Sequence, residues 1–218
     1  MTLRLYDTRS RAKRKFRTLV EGEVGIYVCG ITPYSPSHIG HARQAIAFDI
    51  IVRWLRNSGY KVNYITNFTD IDDKIISIAN DEKVHFLEVA NRNIDDYFEV
   101  MDLLNVLPAD AYPRVTETIP EIISMISRLI VSENAYASSD GVYFEINSAP
   151  EKYGQLTGQT LEMVQEGAGG RVTETGSGKK NHRDFALWKF AKEGEPYWDS
   201  PWGKGRPGWH IECSAMSL

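Results

Sequence analysis

Two strand-like segments on either side of one helix-like segment constrain the fold of this chain most strongly. The run from Gly25 to Gly30 is apolar and closed by glycine, which predicts a buried strand in a parallel sheet. A turn with two prolines follows, and residues 38–57 are compatible with a helix that Gly59 ends in the left-handed conformation. Residues 62–69 are rich in Val, Tyr, Ile and Thr and predict a second strand. This order predicts a βαβ unit of a doubly wound α/β fold.

Helical segments and then a change of composition follow the predicted βαβ unit. Three carboxylates within residues 70–73 fit the start of a helix, where the helix dipole favours negative charge. Apolar residues at helical spacing over 87–104 predict an amphipathic helix that packs on the core. Residues 136–146 fit a hairpin, and residues 165–181 form a connector rich in Gly, Ser and Thr. We interpret this later stretch as an insertion into the α/β fold.

The composition of the 218 residues is that of an ordinary globular protein. Hydrophobic residues make up 42% and charged residues 25%, and the net charge of -4 argues against a general basic nucleic-acid coat. The basic run over residues 9–17 is interpreted mainly as solvated surface, with RNA contact as the minor alternative. No segment approaches the ~20 apolar residues of a membrane span, and a secretory leader is not evident. We therefore expect a cytoplasmic protein without a membrane partner.

Two histidines at the predicted start of the helix form the most informative short motif. In His38-Ile39-Gly40-His41 the imidazoles are three residues apart and share one helix face. They stand beside the unpaired N–H groups of the first turn, which favour an anion. Gly40 lacks a side chain, so a flat ring or a phosphate can approach the backbone closely. This arrangement suits ATP, although paired histidines also occur on ordinary helix surfaces and in metal sites.

Three longer blocks resemble the cysteinyl-tRNA synthetases, which are class I enzymes. The family's ATP-binding segment is similar to YVCGITPYSPSHIGHAR at residues 27–43. Two further family segments resemble NFTDIDDK at 67–74 and SPWGKGRPGWHIECSAM at 200–216, and the three blocks occur in the family's order. The resemblance covers nearly all of the chain.

The resemblance implies a Rossmann-like parallel sheet that is interrupted by a connective-peptide insertion. Residues 1–113 are expected to form the first half of the catalytic domain and residues 114–200 the insertion. Residues 201–218 would begin a second half that is incomplete here. We therefore expect the chain to be the N-terminal part of such an enzyme.

The resemblance also implies the roles of individual residues. Cys29 and Cys213 would hold one zinc ion, with a His and a Glu ligand beyond residue 218, so the site in this chain would be incomplete. Without the resemblance, Cys29 would be interpreted as a small buried residue and Trp209 as an ordinary core aromatic. The residues implied for cysteine binding are Cys29, Gly30, Thr69, Trp209 and His210. The residues implied for ATP, which arrives with Mg²⁺, are Thr32, His38, Gly40 and His41, and His38 and His41 are the implied catalytic pair.

The activity that the resemblance implies is the ligation of cysteine to tRNA(Cys). The carboxylate of L-cysteine would attack the α-phosphorus of ATP and form cysteinyl-adenylate and pyrophosphate, and the cysteinyl group would then pass to the tRNA. The family's Lys-Met-Ser-Lys-Ser loop does not occur in these residues, so we expect little or no aminoacylation by the chain alone. Two alternatives stay open: the related ligase that joins cysteine to an aminosugar in mycothiol synthesis, and a non-catalytic synthetase-like binding module.

Overall fold

A computed structural model describes residues 3–158 and 178–218 of the chain. The strands are β1 Arg4–Asp7, β2 Ala12–Lys15, β3 Glu23–Ile31, β4 Lys61–Phe68, β5 Ala135–Ala137, β6 Gly141–Phe144, β7 Phe185–Phe190 and β8 Gly205–Pro207. The helices are α1 Ile39–Asn57, α2 Asp73–Glu82, α3 Phe86–Leu103, α4 Ile119–Val131 and α5 Trp209–Met216. None of these helices is long and apolar enough to cross a membrane. Most of the predicted connector at 165–181 lies outside the described residues.

The chain forms two compact units, each built from two stretches of sequence. The α/β unit comprises Thr18–Ile119 and Glu212–Leu218, and the antiparallel unit comprises Met1–Arg17 and Pro120–Ile211. The α/β unit contains the predicted strand, helix and strand, and it also contains both cysteines and the two histidines predicted to bind ATP, His38 and His41.

In the α/β unit, β3, α1 and β4 form the predicted βαβ arrangement. The two strands are parallel and pair from Glu23 opposite Lys61 to Val28 opposite Thr66. The predicted stop after α1 is also confirmed, because Gly59 has a φ of +89°. Isolated parallel bridges between β4 and residues 111–114 continue the parallel pattern. Helix α1 is thus the crossover connection that parallel strands require.

Strand β3 is less buried than its apolar sequence predicted. Val24, Val28 and Ile31 are buried, whereas Gly25 and Cys29 are exposed. Among the described residues the only named strand paired with β3 is β4. Because side chains alternate between the two faces of a strand, only one face of β3 packs into the core. The exposed face is the one that carries Cys29.

Two further helices of the α/β unit begin and pack as the sequence predicts. The carboxylate of Asp72 caps α2 by accepting a hydrogen bond from the backbone N–H of Lys74 at 3.0 Å. Helix α3 is amphipathic and packs with α1 and the sheet in one core cluster. The buried members of this cluster are Ile31, Ala45, Phe68, Ile94, Tyr97 and Met101.

The antiparallel unit contains the predicted hairpin. Strands β5 and β6 pair antiparallel, with Tyr136 opposite Tyr143, and the sheet continues through β7 to β8. Trp188 on β7 is fully buried, and so are Ile122 and Ile126 on α4. Strands β1 and β2 form a separate two-stranded hairpin that carries much of the basic run.

Candidate active site

The two cysteines meet in the α/β unit. Cys29 lies near the end of β3 and Cys213 lies in α5, and their sulfur atoms are 3.0 Å apart. The Cys29 thiol can donate a hydrogen bond to the Cys213 thiolate, which lowers the pKa of Cys213 to about 6 although burial acts in the opposite direction. The same hydrogen bond, together with the partial burial of the sulfur in an otherwise exposed residue, raises the pKa of Cys29. The pair therefore loses its first proton easily and holds the second one strongly.

The sulfur pair fits part of a zinc site. Two thiolates bound to one tetrahedral zinc, each at ~2.3 Å from the metal, lie about 3.8 Å apart. The two sulfur atoms would therefore need to move apart by less than about 1 Å to bind zinc together. Thiolates are also the soft donors that zinc prefers. Among residues 3–158 and 178–218, no group of three or more His, Cys, Asp or Glu side chains could hold a metal ion. The described residues therefore offer two of the four donors that a zinc site needs.

Gly30 and Thr69, both predicted to bind cysteine, are connected through Asn67. A Cβ on Gly30 would overlap the backbone carbonyl of Asn67. The strands β3 and β4 therefore approach each other more closely here than any residue except glycine at position 30 would allow. The N–H of Gly30 donates to Asn67 Oδ1 at 2.9 Å, and Asn67 Nδ2 donates to the hydroxyl of buried Thr69 at 3.4 Å. Asn67 lies in the block at 67–74, but no local pattern assigned it a role.

His38 and His41 cover the N-terminus of α1. His38 is the N-cap, and its Nδ1 accepts from the N–H of Gly40 at 3.0 Å; Nδ1 of His41 accepts from the N–H of His38 at 3.4 Å. The rings stack with centroids 3.9 Å apart and planes inclined by 20°. The pKa of His41 is lowered by burial and by His38, while Asp96 opposes the shift. Because both Nδ1 atoms accept, the neutral rings carry their protons on Nε2, where they can donate to an anion.

Helix α3 fixes the turn that leads into these histidines. The carboxylate of Asp96 accepts from the N–H of Ser37 at 2.7 Å. One turn earlier, the amide of buried Asn93 donates to the carbonyl of Pro33 at 3.2 Å. Thr32, an implied ATP contact, is half-buried at the start of this turn. No local pattern identifies Asn93 or Asp96, because their partners lie 60 and 59 residues away in sequence.

Helix α1 also contacts the segment that carries the first cysteine. The side-chain amide of Gln44 donates to the backbone carbonyl of Cys29 at 2.8 Å. Gln44 follows His41 by three residues and therefore lies on the same face of the helix. One hydrogen bond thus connects the helix that carries the histidine pair to the backbone of the segment that carries Cys29, within the α/β unit.

Trp209 and His210 lie at the start of α5, in the part of the helix that belongs to the antiparallel unit. Both are exposed, with Trp209 43% accessible, so Trp209 is not a core aromatic. Their ring centroids are 5.4 Å apart, and His210 also packs edge-on against Phe185 at 5.0 Å. Their role in cysteine binding stays a prediction.

The carboxylates of the block at 67–74 have structural partners. Asp70 is fully buried and accepts from the backbone N–H of Thr116 at 3.0 Å and from its hydroxyl at 2.6 Å. Burial raises the pKa of Asp70, and the hydrogen bonds from Thr116 oppose this rise. Asp72 caps α2, as described above. These two side chains stabilise the helix start and the strand end and are not free for a ligand.

Comparison of the sequence with known proteins shows the family to which the chain belongs. The family described as "tRNA synthetases class I (C) catalytic domain" matches residues 15–218. A cysteine–tRNA ligase of Pyrococcus furiosus is 55% identical over 215 residues, which cover 99% of this chain and 44% of that protein. A cysteine–tRNA ligase of Nitratidesulfovibrio vulgaris is 52% identical over 216 residues, again 99% and 44% of the two chains. The chloroplastic and mitochondrial cysteine–tRNA ligase of Zea mays is 52% identical and is covered to 38%. The chain spans less than half the length of these curated relatives.

Proposed function

Because this chain belongs to the family of class I (C) tRNA synthetase catalytic domains, we propose that it forms the cysteine- and ATP-binding part of a cysteine–tRNA ligase. The observation that carries the proposal is the hydrogen bond from Gln44 to the carbonyl of Cys29. It ties α1, whose N-terminus is covered by two imidazoles, to the backbone of Cys29, one member of a thiol pair suited to a soft metal. A thiol-selective site beside an anion site matches the two substrates of cysteine activation.

The histidine pair and the helix N-terminus would bind the phosphates of ATP, which arrives with Mg²⁺. The Nε2–H groups of His38 and His41 would donate to phosphate oxygens at the positive end of the helix dipole. Gly40 leaves room for the nucleotide to approach the backbone. When the carboxylate of L-cysteine attacks the α-phosphorus, negative charge develops on phosphate oxygens, and donors already in place stabilise it without reorganisation. Cysteinyl-adenylate and pyrophosphate form, and tRNA(Cys) would accept the cysteinyl group.

The cysteine site would comprise Cys29 and Cys213 with Gly30, Thr69, Trp209 and His210. A zinc ion held by the two thiolates would bind the substrate sulfur in preference to the hydroxyl of serine, which is a poor zinc ligand. The narrow approach at Gly30 and the oriented hydroxyl of Thr69 would then position the rest of the amino acid.

We also propose that residues 1–113 and 201–218 belong to the catalytic domain and that residues 114–200 form a connective insertion. The division into compact units supports a boundary near each predicted one, since the chain changes unit after Ile119 and after Ile211. The units differ from the proposal at the start of the chain, because Met1–Arg17 groups with the inserted segment.

The proposal can be tested in a chimera in which this chain replaces the matching 44% of the Pyrococcus furiosus ligase. We expect ATP/pyrophosphate exchange that depends on L-cysteine, and we expect L-serine not to support it. The variant His38→Ala should lose most of this activity. His85→Ala is the matched control, because His85 is also a histidine N-cap with a capping box, on α3. A folded chimera without cysteine-dependent exchange, or equal losses in the two variants, would refute the proposal.

A further inference from the structure

One buried carboxamide connects the residues around the cysteine pair. Asn67, near the end of β4, is fully buried. Its Oδ1 accepts from the hydroxyl of Tyr27 and from the N–H of Gly30, each at 2.9 Å, and its Nδ2 donates to the hydroxyl of Thr69 at 3.4 Å. The sulfur of Cys213 lies 3.9 Å from Oδ1. A single side chain therefore contacts β3, the end of β4 and α5.

Asn67 makes these contacts where the regular pairing between β3 and β4 is interrupted. The register shifts between Val28 and Ile31, and Gly30 lies inside this irregular stretch. An irregularity of this kind redirects the neighbouring side chain, which here is Cys29. The hydrogen bond from Gly30 to Asn67 and the close approach of the Asn67 carbonyl both act on this stretch. Asn67 thus holds the residue that directly follows Cys29.

The set of contacts requires both an acceptor and a donor on one short side chain. An aspartate in place of Asn67 would keep the acceptor for Tyr27 and Gly30, but it would lose the donor to Thr69 and add a negative charge beside the thiol pair. An alanine would leave the N–H of Gly30 and the hydroxyl of Tyr27 without their acceptor. Neither substitution alters the hydrogen bonds that cap α1.

We propose that Asn67 is the positioning residue of the cysteine site: it fixes the sulfur of Cys29 relative to Cys213 and orients the hydroxyl of Thr69. The inference rests on the proposed function, since it takes these residues as the site that binds L-cysteine. The proposed ATP site at the start of α1 depends on a different set of contacts, which α1 and α3 form. Loss of the Asn67 side chain should therefore weaken cysteine binding and leave ATP binding intact.

The first test uses the chain itself, free of metal. One thiolate adds to the N=N bond of diamide, and the second thiolate displaces the hydrazine and forms the disulfide, so at saturating diamide the rate of Cys29–Cys213 linkage reports how closely the sulfurs approach. We expect Asn67→Ala and Asn67→Asp to slow the reaction at least tenfold. Asn63→Asp is the matched control, because Asn63 lies on the same strand and is exposed. Folded Asn67 variants that react within twofold of the parent would overturn the proposal.

The second test measures substrate dependence in the Pyrococcus furiosus chimera. Mutating a residue that orients the ligands of a metal site typically costs 10–100-fold in metal affinity or activity. Because Cys29 is a proposed zinc ligand, we expect the KM for L-cysteine to rise by about that factor in both Asn67 variants. The KM for ATP should stay within twofold. A residue with only a structural role would lower the melting temperature or the active fraction without this split, and equal changes in both KM values would count against the proposal.

If both Asn67 variants fail to fold, the variant Tyr27→Phe tests whether Asn67 positions the two sulfurs. The substitution removes one donor to Asn67 and keeps the ring of a half-buried residue. Because the same hydroxyl also hydrogen-bonds Cys213, the rates are compared at their high-pH plateau, where the ionisation of the thiol no longer limits them. We expect disulfide formation to slow at least threefold, and an unchanged rate would overturn the proposal. If the parent chimera lacks cysteine-dependent exchange while the disulfide rates still differ, the proposed function fails and the positioning by Asn67 stands.

Discussion

Replacing Gly40 with alanine should lower activity with ATP and leave the stability of the chain nearly unchanged. An added Cβ would lie 2.8 Å from Cε1 and 2.9 Å from Nδ1 of His38. Carbon atoms in contact are usually about 3.5 Å or more apart, so the ring must move by roughly 0.6–1 Å. Its hydrogen bond to the N–H of Gly40 would be lost with this movement. The ring can move because it is exposed.

Two effects of this substitution on stability nearly cancel. Loss of an N-cap costs about 1 kcal/mol, and alanine in place of glycine within a helix gains roughly 0.5–1 kcal/mol. The net change should stay within about 1 kcal/mol, which corresponds to a shift of roughly 2–4 °C or less in a protein of this size. Activity should respond differently, because a misplacement of about 1 Å at a reacting group costs on the order of 100-fold.

The assay combines thermal unfolding of the chain with ATP/pyrophosphate exchange in the chimera. We expect Gly40→Ala to lower kcat/KM for ATP about 100-fold and to leave the melting temperature nearly unchanged. Gly25→Ala, on β3, is the control, because an added Cβ there has no atom within 4 Å. The reasoning is wrong if Gly40→Ala keeps kcat/KM within threefold of the parent, or if it destabilises the chain by more than about 2 kcal/mol.

Two further predictions concern buried or partly buried carboxylates. Asp96→Asn replaces the charged acceptor of Ser37 by a neutral one of about half the strength, so we expect a loss of roughly 1 kcal/mol. It also removes a charge that raises the pKa of His41, so that pKa should fall further in an NMR titration, and a rise would contradict the assignment. For Asp70, burial raises the folded-state pKa, so the folded protein binds this proton more tightly than the unfolded chain. Its contribution to the free energy of unfolding therefore decreases as pH rises from about 4 through the folded-state pKa. Between pH 4 and 7, the free energy of unfolding measured with urea should decrease less in Asp70→Asn than in the parent chain. Identical pH profiles of the two proteins would refute the raised pKa of Asp70.

Local sequence patterns predicted the elements that position the site. The bounds of β3, α1 and β4 agree with prediction to within two residues, because glycines, prolines and apolar periodicity act over a few neighbouring positions. The exposed face of β3 could not be predicted in this way, since exposure depends on which strands pair with it. An apolar run has the same sequence whether one or both of its faces are covered.

The contacts that hold the site were not predictable from local patterns. Asn67 bonds Gly30 across 37 residues, and Asp96 bonds Ser37 across 59. Asparagine and aspartate are common on helix surfaces and at strand ends, so nothing in their type or spacing distinguishes these two. The paired histidines were found because both members lie in one turn, and the two cysteines were paired only through the family resemblance.

The approach of Cys29 and Cys213 has a consequence for the stability of the whole α/β unit. The two residues are 184 positions apart in sequence, and the second belongs to the short segment Glu212–Leu218 of the same unit. A bond bridging the two sulfurs, through a metal or directly, would close a very long loop and lower the conformational entropy of the unfolded chain. This raises the free energy of the unfolded state by roughly 5 kcal/mol at 25 °C. The sulfur atoms proposed to bind the amino acid through zinc would then also hold the segment Glu212–Leu218 in the α/β unit. Loss of the metal from the site would therefore also lower the stability of this unit.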